Sequence, residues 1–88
     1  MDDKPEEIFE LERALGIDSV DDYVWDGEKV TELKIWGRML KDISPIAQLK
    51  SLEILDLSKN RITDISPLKN LDKLTTINLS DNKVSDLT

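Results

Sequence analysis

The sequence predicts an α/β fold in which short repeats stack on one another behind an N-terminal helix. From Val30 onwards, apolar residues recur with a period of 22 residues, and each period contains the alternation of a half-buried strand. Ahead of the repeats, the chain carries the start and stop signals of an amphipathic helix. We therefore expect an N-terminal helical cap over residues 1–29 and about two and two-thirds repeats over residues 30–88.

The repeat follows the pattern L-x-x-L-x-L-x-x-N-x-I-x-x-I. Equivalent apolar positions lie 22 residues apart in the successive copies, as in Leu33, Leu55 and Ile77. Each strand would bury a single face that it cannot cover alone, so every copy needs a neighbour stacked on it. Asn60 and Asn82 fall where the chain turns away from the strand, whereas Arg38 stands at that position in the first copy. Their amides can bond backbone groups of adjacent copies, so we predict a structural role for both asparagines.

These residues resemble the leucine-rich repeat family, and the "DISPL" ending at residues 64–68 is similar to the 22-residue bacterial class typified by the internalins. The resemblance covers residues 30–88. It implies a short right-handed solenoid with parallel strands on its concave face and 3₁₀ or extended turns on its convex face. It also implies that a protein partner binds the strand positions that point out of the concave sheet. The candidate partner-binding residues are Glu32, Lys34, Trp36, Met39, Ile54, Asp56, Ser58, Arg61, Thr76, Asn78 and Ser80.

Trp36 is the strongest candidate anchor among them. Its alternation with Leu33 and Ile35 points it away from the core, and Ile54 belongs to the next strand. An exposed tryptophan beside apolar neighbours is typical of binding hot spots. The alternative is that the N-terminal cap folds over this side and buries Trp36, and the sequence leaves both interpretations open.

The cap is expected to begin with a helix. Asp3 would cap it, Pro5 would occupy its first turn, Glu6 and Glu7 would suit its positive end, and Gly16 would end it. Its apolar face would consist of Ile8, Leu11 and Leu15. After the helix, a tight turn is expected at Asp26–Gly27, and packing of the cap against the first repeat is expected from Tyr23, Val24 and Trp25.

Recurring acidic residues raise the question of a metal site. Asp42, Asp64 and Asp86 each precede a bend, and a bond that caps the local turn explains them better than a metal does. A second cluster consists of Asp18, Asp21, Asp22, Asp26 and Glu28. A calcium loop that begins at Asp22 would need ligands where Val24 and Leu33 stand, so a solvated acidic surface is expected instead. We predict neither a metal nor a cofactor.

Composition excludes several classes of function. The chain has neither histidine nor cysteine and only three glycines, which argues against an enzyme. Residues 1–29 hold 11 acidic and 3 basic side chains, a net charge of −8, whereas residues 30–88 are nearly balanced at +1. No basic patch for direct nucleic-acid binding is evident. Neither a signal peptide nor an apolar run long enough to span a membrane is present in this sequence, so a cytoplasmic location is expected. A secreted or surface origin is the alternative if the sequence is a piece of a longer protein.

The sequence therefore predicts a non-enzymatic module that binds a protein partner of unknown identity. One alternative is an acidic inhibitor that blocks a basic nucleic-acid-binding site on a target enzyme. Another is the capped N-terminal fragment of a longer repeat protein, because the third copy stops at Thr88 before its bend. The uncovered strand near residues 75–80 would leave an edge through which two chains can pair as a homodimer. The alternative is a monomer in which Asp81, Lys83 and Asp86 keep this end solvated.

Overall fold

The structure is a computed structural model that describes residues 4–83. Over this range, the chain forms one α-helix and a four-stranded mixed sheet. The elements are α1 (Glu6–Leu15), β1 (Asp22–Trp25), β2 (Val30–Lys34), β3 (Ile54–Asp56) and β4 (Thr76–Asn78), with 3₁₀ helices at Ser44–Gln48 and Ser66–Leu68. No helix in residues 4–83 is both long enough and apolar enough to cross a bilayer.

The sheet has the order β1-β2-β3-β4, and β2, β3 and β4 run parallel to one another. Leu33 pairs with Leu55, and Leu55 pairs with Ile77, so the 22-residue step of the sequence is the register of these strands. Parallel neighbours require a crossover connection, and each crossover here passes through one of the two 3₁₀ helices.

The core lies between the inner side of the sheet and the 3₁₀ helices. Leu33, Ile35, Leu55 and Leu57 are fully buried, as is Ile8 from α1. Ile77, the counterpart of Leu33 and Leu55, is 45% exposed because β4 is the last strand of the described sheet. The contrast between buried Leu33 and Leu55 and exposed Ile77 shows that each copy is covered by the copy that follows it. Val84 and Leu87, which follow the repeat pattern in the third copy, lie outside the described residues.

Helix α1 packs one face against this core. Ile8 and Leu11 are buried, and Leu15 is partly buried against the same cluster. Gly16 ends the helix in the left-handed conformation (φ +74°), as the sequence predicts. The prediction for Pro5 was wrong: it is the extended residue before the first turn (φ −66°, ψ 151°), because the helix begins only at Glu6. Asp3, the expected cap, lies outside the described residues.

Strand β1 was not predicted from the sequence. It pairs antiparallel with β2 through a hairpin in which Asp26 Oδ1 accepts the backbone N–H groups of Glu28 and Lys29 at 2.9 and 2.8 Å. Tyr23 packs partly buried against the core, as expected. The expected packing of Val24 and Trp25 was wrong, since they are 45% and 41% exposed. Strand alternation turns Val24 outward, and the register shifts between Val24 and Trp25.

Candidate functional site

The outer sheet face, defined here as the strand residues that point away from the core, forms two rows across the four strands. The first row consists of Val24, Glu32, Ile54 and Thr76, and the second of Asp22, Lys34, Asp56 and Asn78. Neighbouring strands lie about 4.8 Å apart, so each row is a line of adjacent side chains. Six of these eight residues were candidates from the sequence, and the structure brings them together on one face.

Asp22 and Val24 were missed because β1 lies outside the repeat. A signal for them existed in the sequence, since "DYVW" and "VTEL" are short β-prone runs on either side of an Asp-Gly turn. Their addition extends the face by a full strand. It places Val24 beside Glu32 and Asp22 beside Lys34.

Charges alternate along the second row, where Lys34 stands between Asp22 and Asp56. Partial burial raises the pKa of Asp56, but the hydrogen bond from the backbone N–H of Ser58, the nearby side chain of Trp36 and the positive charge of Lys34 all lower it. The net effect holds the pKa of Asp56 below its ordinary value. The carboxylate is therefore charged at neutral pH and is a fixed part of this face.

The turn after each strand is closed by a side-chain acceptor. In the second copy, Asp56 Oδ1 accepts the backbone N–H of Ser58 at 3.1 Å. In the third copy, Asn78 Oδ1 accepts both the backbone N–H and the hydroxyl of Ser80, at 2.9 and 2.7 Å. The first copy carries Lys34 at this position, and a lysine has no acceptor.

Asp21, from the segment before β1, supplies the acceptor that Lys34 lacks. Its Oδ2 accepts the backbone N–H of Trp36 at 2.6 Å, and its Oδ1 forms an ion pair with Arg38 Nη2 at 3.2 Å. Its own N–H donates to the carbonyl of Lys34 at 2.9 Å. One carboxylate outside the repeats therefore completes the first repeat and fixes the backbone that carries Trp36.

Trp36 is 41% exposed, so the N-terminal segment does not bury it. Its backbone N–H is held by Asp21, and its side chain helps to lower the pKa of Asp56 on the next strand. Of the candidates beyond the strands, Ser58 is partly buried, while Arg61 and Ser80 are exposed. Met39 is 66% exposed in a left-handed backbone conformation (φ +56°).

Asn60 and Asn82 join adjacent copies through their side-chain amides. Asn60 is 5% exposed, and its Oδ1 accepts the backbone N–H groups of Arg38 and Leu40 at 2.9 and 3.2 Å. Its Nδ2 donates to Ile35, Leu57 and Ser58 carbonyls at 2.9, 2.9 and 3.2 Å. Asn82 is half-buried; its Oδ1 accepts the N–H of Ile62 at 3.0 Å, and its Nδ2 donates to the carbonyl of Leu57 at 2.8 Å.

The acidic residues of the repeats serve the turns. Asp42 Oδ1 accepts the hydroxyl and the backbone N–H of Ser44, at 2.5 and 2.9 Å, and these bonds lower the pKa of Asp42. Asp64 Oδ1 accepts the N–H of Ser66 at 2.9 Å, which lowers the pKa of Asp64. Asp86 lies outside the described residues. Within residues 4–83, acidic side chains form no group of three that would hold a metal ion.

Comparison with known families agrees with this repeated architecture. The family model described as "Leucine Rich repeats (2 copies)" matches residues 28–70 and again residues 50–88. The two matches overlap and together cover more than half of the chain. The chain has no match among the curated proteins with which it was compared.

Proposed function

Because the chain belongs to the leucine-rich repeat family, whose domains generally mediate protein–protein interactions, we propose that it binds a protein partner through the outer sheet face. Leucine-rich repeats are typically non-enzymatic interaction modules, and the proposed role needs no catalytic group. In this proposal the outer sheet face is the concave side of a short right-handed solenoid of the internalin-like 22-residue class. Residues 1–29 are its N-terminal cap, and residues 30–88 are its repeats.

The observation that carries the proposal is the way in which Trp36 is presented. The side chain is exposed, its backbone N–H donates to Asp21 Oδ2 at 2.6 Å, and its side chain helps to lower the pKa of the nearby Asp56 carboxylate. An anchor that is already ordered loses less conformational entropy on binding. Tryptophan is also enriched among residues whose truncation costs the most affinity.

The face around Trp36 offers both apolar and charged contacts. Val24 and Ile54 provide apolar surface in the first row, and the alternating charges of the second row provide polar specificity. Thr76 and Asn78 extend both rows onto β4, and the turn residues Ser58, Ser80, Met39 and Arg61 lie beyond the strand ends. A partner that covers this face would contact all four strands.

Site-specific photo-crosslinking in the native host tests which face binds. A benzoylphenylalanine at Thr76, which is exposed on the outer sheet face, should form a crosslink to a discrete protein partner. The matched control places the same group at Gln48, which is exposed on the 3₁₀ side. Crosslinks to that partner from Gln48 and none from Thr76 would contradict the proposed face.

Calorimetry with the identified partner then tests the anchor. Trp36→Ala or Ile54→Ala should weaken binding by about 2 kcal/mol or more, as hot-spot residues do. Lys50→Ala, an exposed change on the 3₁₀ side, is the control and should leave affinity unchanged. Unaltered affinity in both outer-face variants would refute the anchoring role of Trp36 and Ile54.

The acidity of residues 1–29, with a net charge of −8, favours a second candidate function. In that role the protein would inhibit an enzyme by occupying its basic nucleic-acid-binding site. Such binding would weaken steeply with added salt, and Glu6→Gln with Glu10→Gln would reduce it further. Glu7 is unsuitable for this test because its Oε1 also accepts the backbone N–H of Val30 at 2.7 Å.

A further inference from the structure

A groove of about 580 Å³ lies between the first turn of α1 and the β1–β2 hairpin, apart from the two rows of the outer sheet face. Its lining consists of Lys4, Pro5, Glu6, Glu7, Trp25 and Glu28. Trp25 is 41% exposed, and Glu6 and Glu28 are exposed as well. An aromatic ring therefore stands in an open groove together with carboxylate side chains.

Both walls of this groove are held in place. Glu7 Oε1 accepts the backbone N–H of Val30 at 2.7 Å and so ties the helix to the base of the hairpin. The hairpin turn is closed by Asp26, whose carboxylate accepts the N–H groups of Glu28 and Lys29. These backbone bonds lower the pKa of Asp26, so the turn is closed by a charged carboxylate at neutral pH. The groove is thus present before any partner arrives.

The groove has an excess of negative charge. Among residues 4–83, three glutamates line it, and Lys4 is the one cation in the lining. The ammonium of Lys4 is engaged by the buried carboxylate of Glu12, with N–O distances of 3.0 and 3.1 Å, and it lies 5.0 Å from the centre of the Phe9 ring. The wider surroundings are also acidic, since residues 1–29 carry a net charge of −8. Cations are therefore drawn to this end of the molecule.

We propose that this groove is a second interaction surface that binds a basic side chain from an extended segment of a protein partner. The cationic group would lie over the ring of Trp25, where the π-electrons attract it, and the carboxylates of Glu6 and Glu28 would neutralise it. The aliphatic stem of an arginine or lysine would cover the exposed apolar surface of Trp25. A basic segment is favoured over an acidic or purely apolar one, because its charge is complementary to that of the groove.

The two tryptophans provide separate reporters, because Trp25 lies in the groove and Trp36 beside the outer sheet face. The probe is an acetylated and amidated Gly-Arg-Gly-Arg-Gly peptide, titrated into ¹⁵N-labelled protein and followed by its indole N–H resonances. The Trp25 resonance should shift and saturate at millimolar peptide, while the Trp36 resonance stays in place. The same peptide with citrulline in place of arginine is neutral and nearly isosteric, and it should shift neither resonance.

Matched variants test the groove residue by residue. Trp25→Leu should weaken peptide binding by about two- to fivefold, the range that an exposed cation–π contact supports. Glu28→Gln should weaken it by up to about fivefold, as the loss of an exposed ion pair does. Trp36→Leu and Glu10→Gln remove the same kinds of group outside the groove and should leave peptide binding unchanged. For Trp25→Leu, the backbone N–H of Glu28 replaces the lost indole as the reporter. Retained dispersion of the amide spectrum shows that each variant is folded.

Three results would overturn the inference: no shift of Trp25 at millimolar peptide, an equal shift with the citrulline peptide, or equal losses in the control variants. A larger shift of the same resonances with calcium chloride would also overturn it, by assigning the carboxylates to a metal ion. The outer sheet face is tested by other measurements, namely crosslinking from Thr76 and calorimetry with the partner that the crosslink identifies. The groove proposal and the outer-face proposal can therefore be refuted independently of each other.

Discussion

Asn60→Ala is expected to destabilise the protein by about 3 kcal/mol, a magnitude worked from the backbone groups that the side chain satisfies. Within residues 4–83, the carbonyl of Ile35 and the N–H of Leu40 have no other hydrogen-bond partner, and both residues are buried. Each orphaned group costs roughly 1–3 kcal/mol. The N–H of Arg38 also loses its acceptor, but Arg38 is only partly buried. The Leu57 carbonyl keeps Asn82 Nδ2 at 2.8 Å, and the Ser58 carbonyl keeps the N–H of Gly37 at 3.4 Å.

Urea unfolding followed by circular dichroism measures this effect, with stabilities extrapolated to zero denaturant. Asn70→Ala is the matched control, because Asn70 is exposed, and its loss should stay within about 0.5 kcal/mol. Asn60→Asp separates hydrogen bonding from packing. It keeps the shape of the side chain but removes the donor to Ile35 and Leu57, so it should also be strongly destabilising.

The reasoning would be refuted if Asn60→Ala cost no more than Asn70→Ala. A nearly silent Asn60→Asp would show that the shape of the side chain matters and its donated bonds do not. A loss of about 3 kcal/mol is a large part of the 5–15 kcal/mol that typically stabilises a folded domain. If Asn60→Ala is unfolded in buffer, the comparison can be made for all variants in the same concentration of a stabilising osmolyte.

Three further predictions concern other parts of the molecule. Asp21→Ala should lower the free energy of unfolding by about 1–2 kcal/mol, because the N–H of Trp36 and the guanidinium of Arg38 lose their acceptor. Asp72→Ala, at an exposed position, is the control, and equal urea midpoints for the two variants would contradict the role of Asp21. The free energy of unfolding should fall on acidification, because the pKa values of Asp42 and Asp64 are lowered in the folded state. The two carboxylates contribute fully to stability above the unfolded pKa of about 3.9, and this contribution is lost as the pH falls through the lowered folded values. The double variant Asp42→Asn, Asp64→Asn should show a shallower loss between pH 5 and pH 2, and an unchanged slope would argue against the turn bonds. The homodimer through the edge at β4 stays a prediction: light scattering over a concentration series should show a rise towards twice the monomer mass, and a constant monomer mass would exclude it.

The sequence by itself determined the period of the repeats, the register of β2, β3 and β4, and the end of α1. These features depend on local patterns. Leu33, Leu55 and Ile77 align because equal steps along a repeat place equivalent residues side by side, and Gly16 ends the helix because glycine accepts a positive φ without strain. The same pattern identified the outward residues of the three repeated strands, because side chains alternate between the two faces of a strand.

The tertiary structure alone decided how the unrepeated N-terminal segment meets the repeats. In the composition, Asp21, Glu7 and Glu12 were simply acidic residues. In the structure, Asp21 accepts the backbone N–H of Trp36, and Glu7 accepts that of Val30. Glu12 is 5% exposed, and its carboxylate is bonded to the ammonium of Lys4 and the N–H of Val20. The antiparallel pairing of β1 likewise brought Trp25 opposite α1 and left Trp36 exposed. A carboxylate has the same local signature whether it is solvated or bonded to a distant backbone group. Its role therefore depends on which segments fold against each other, and a pattern within one segment does not contain that information.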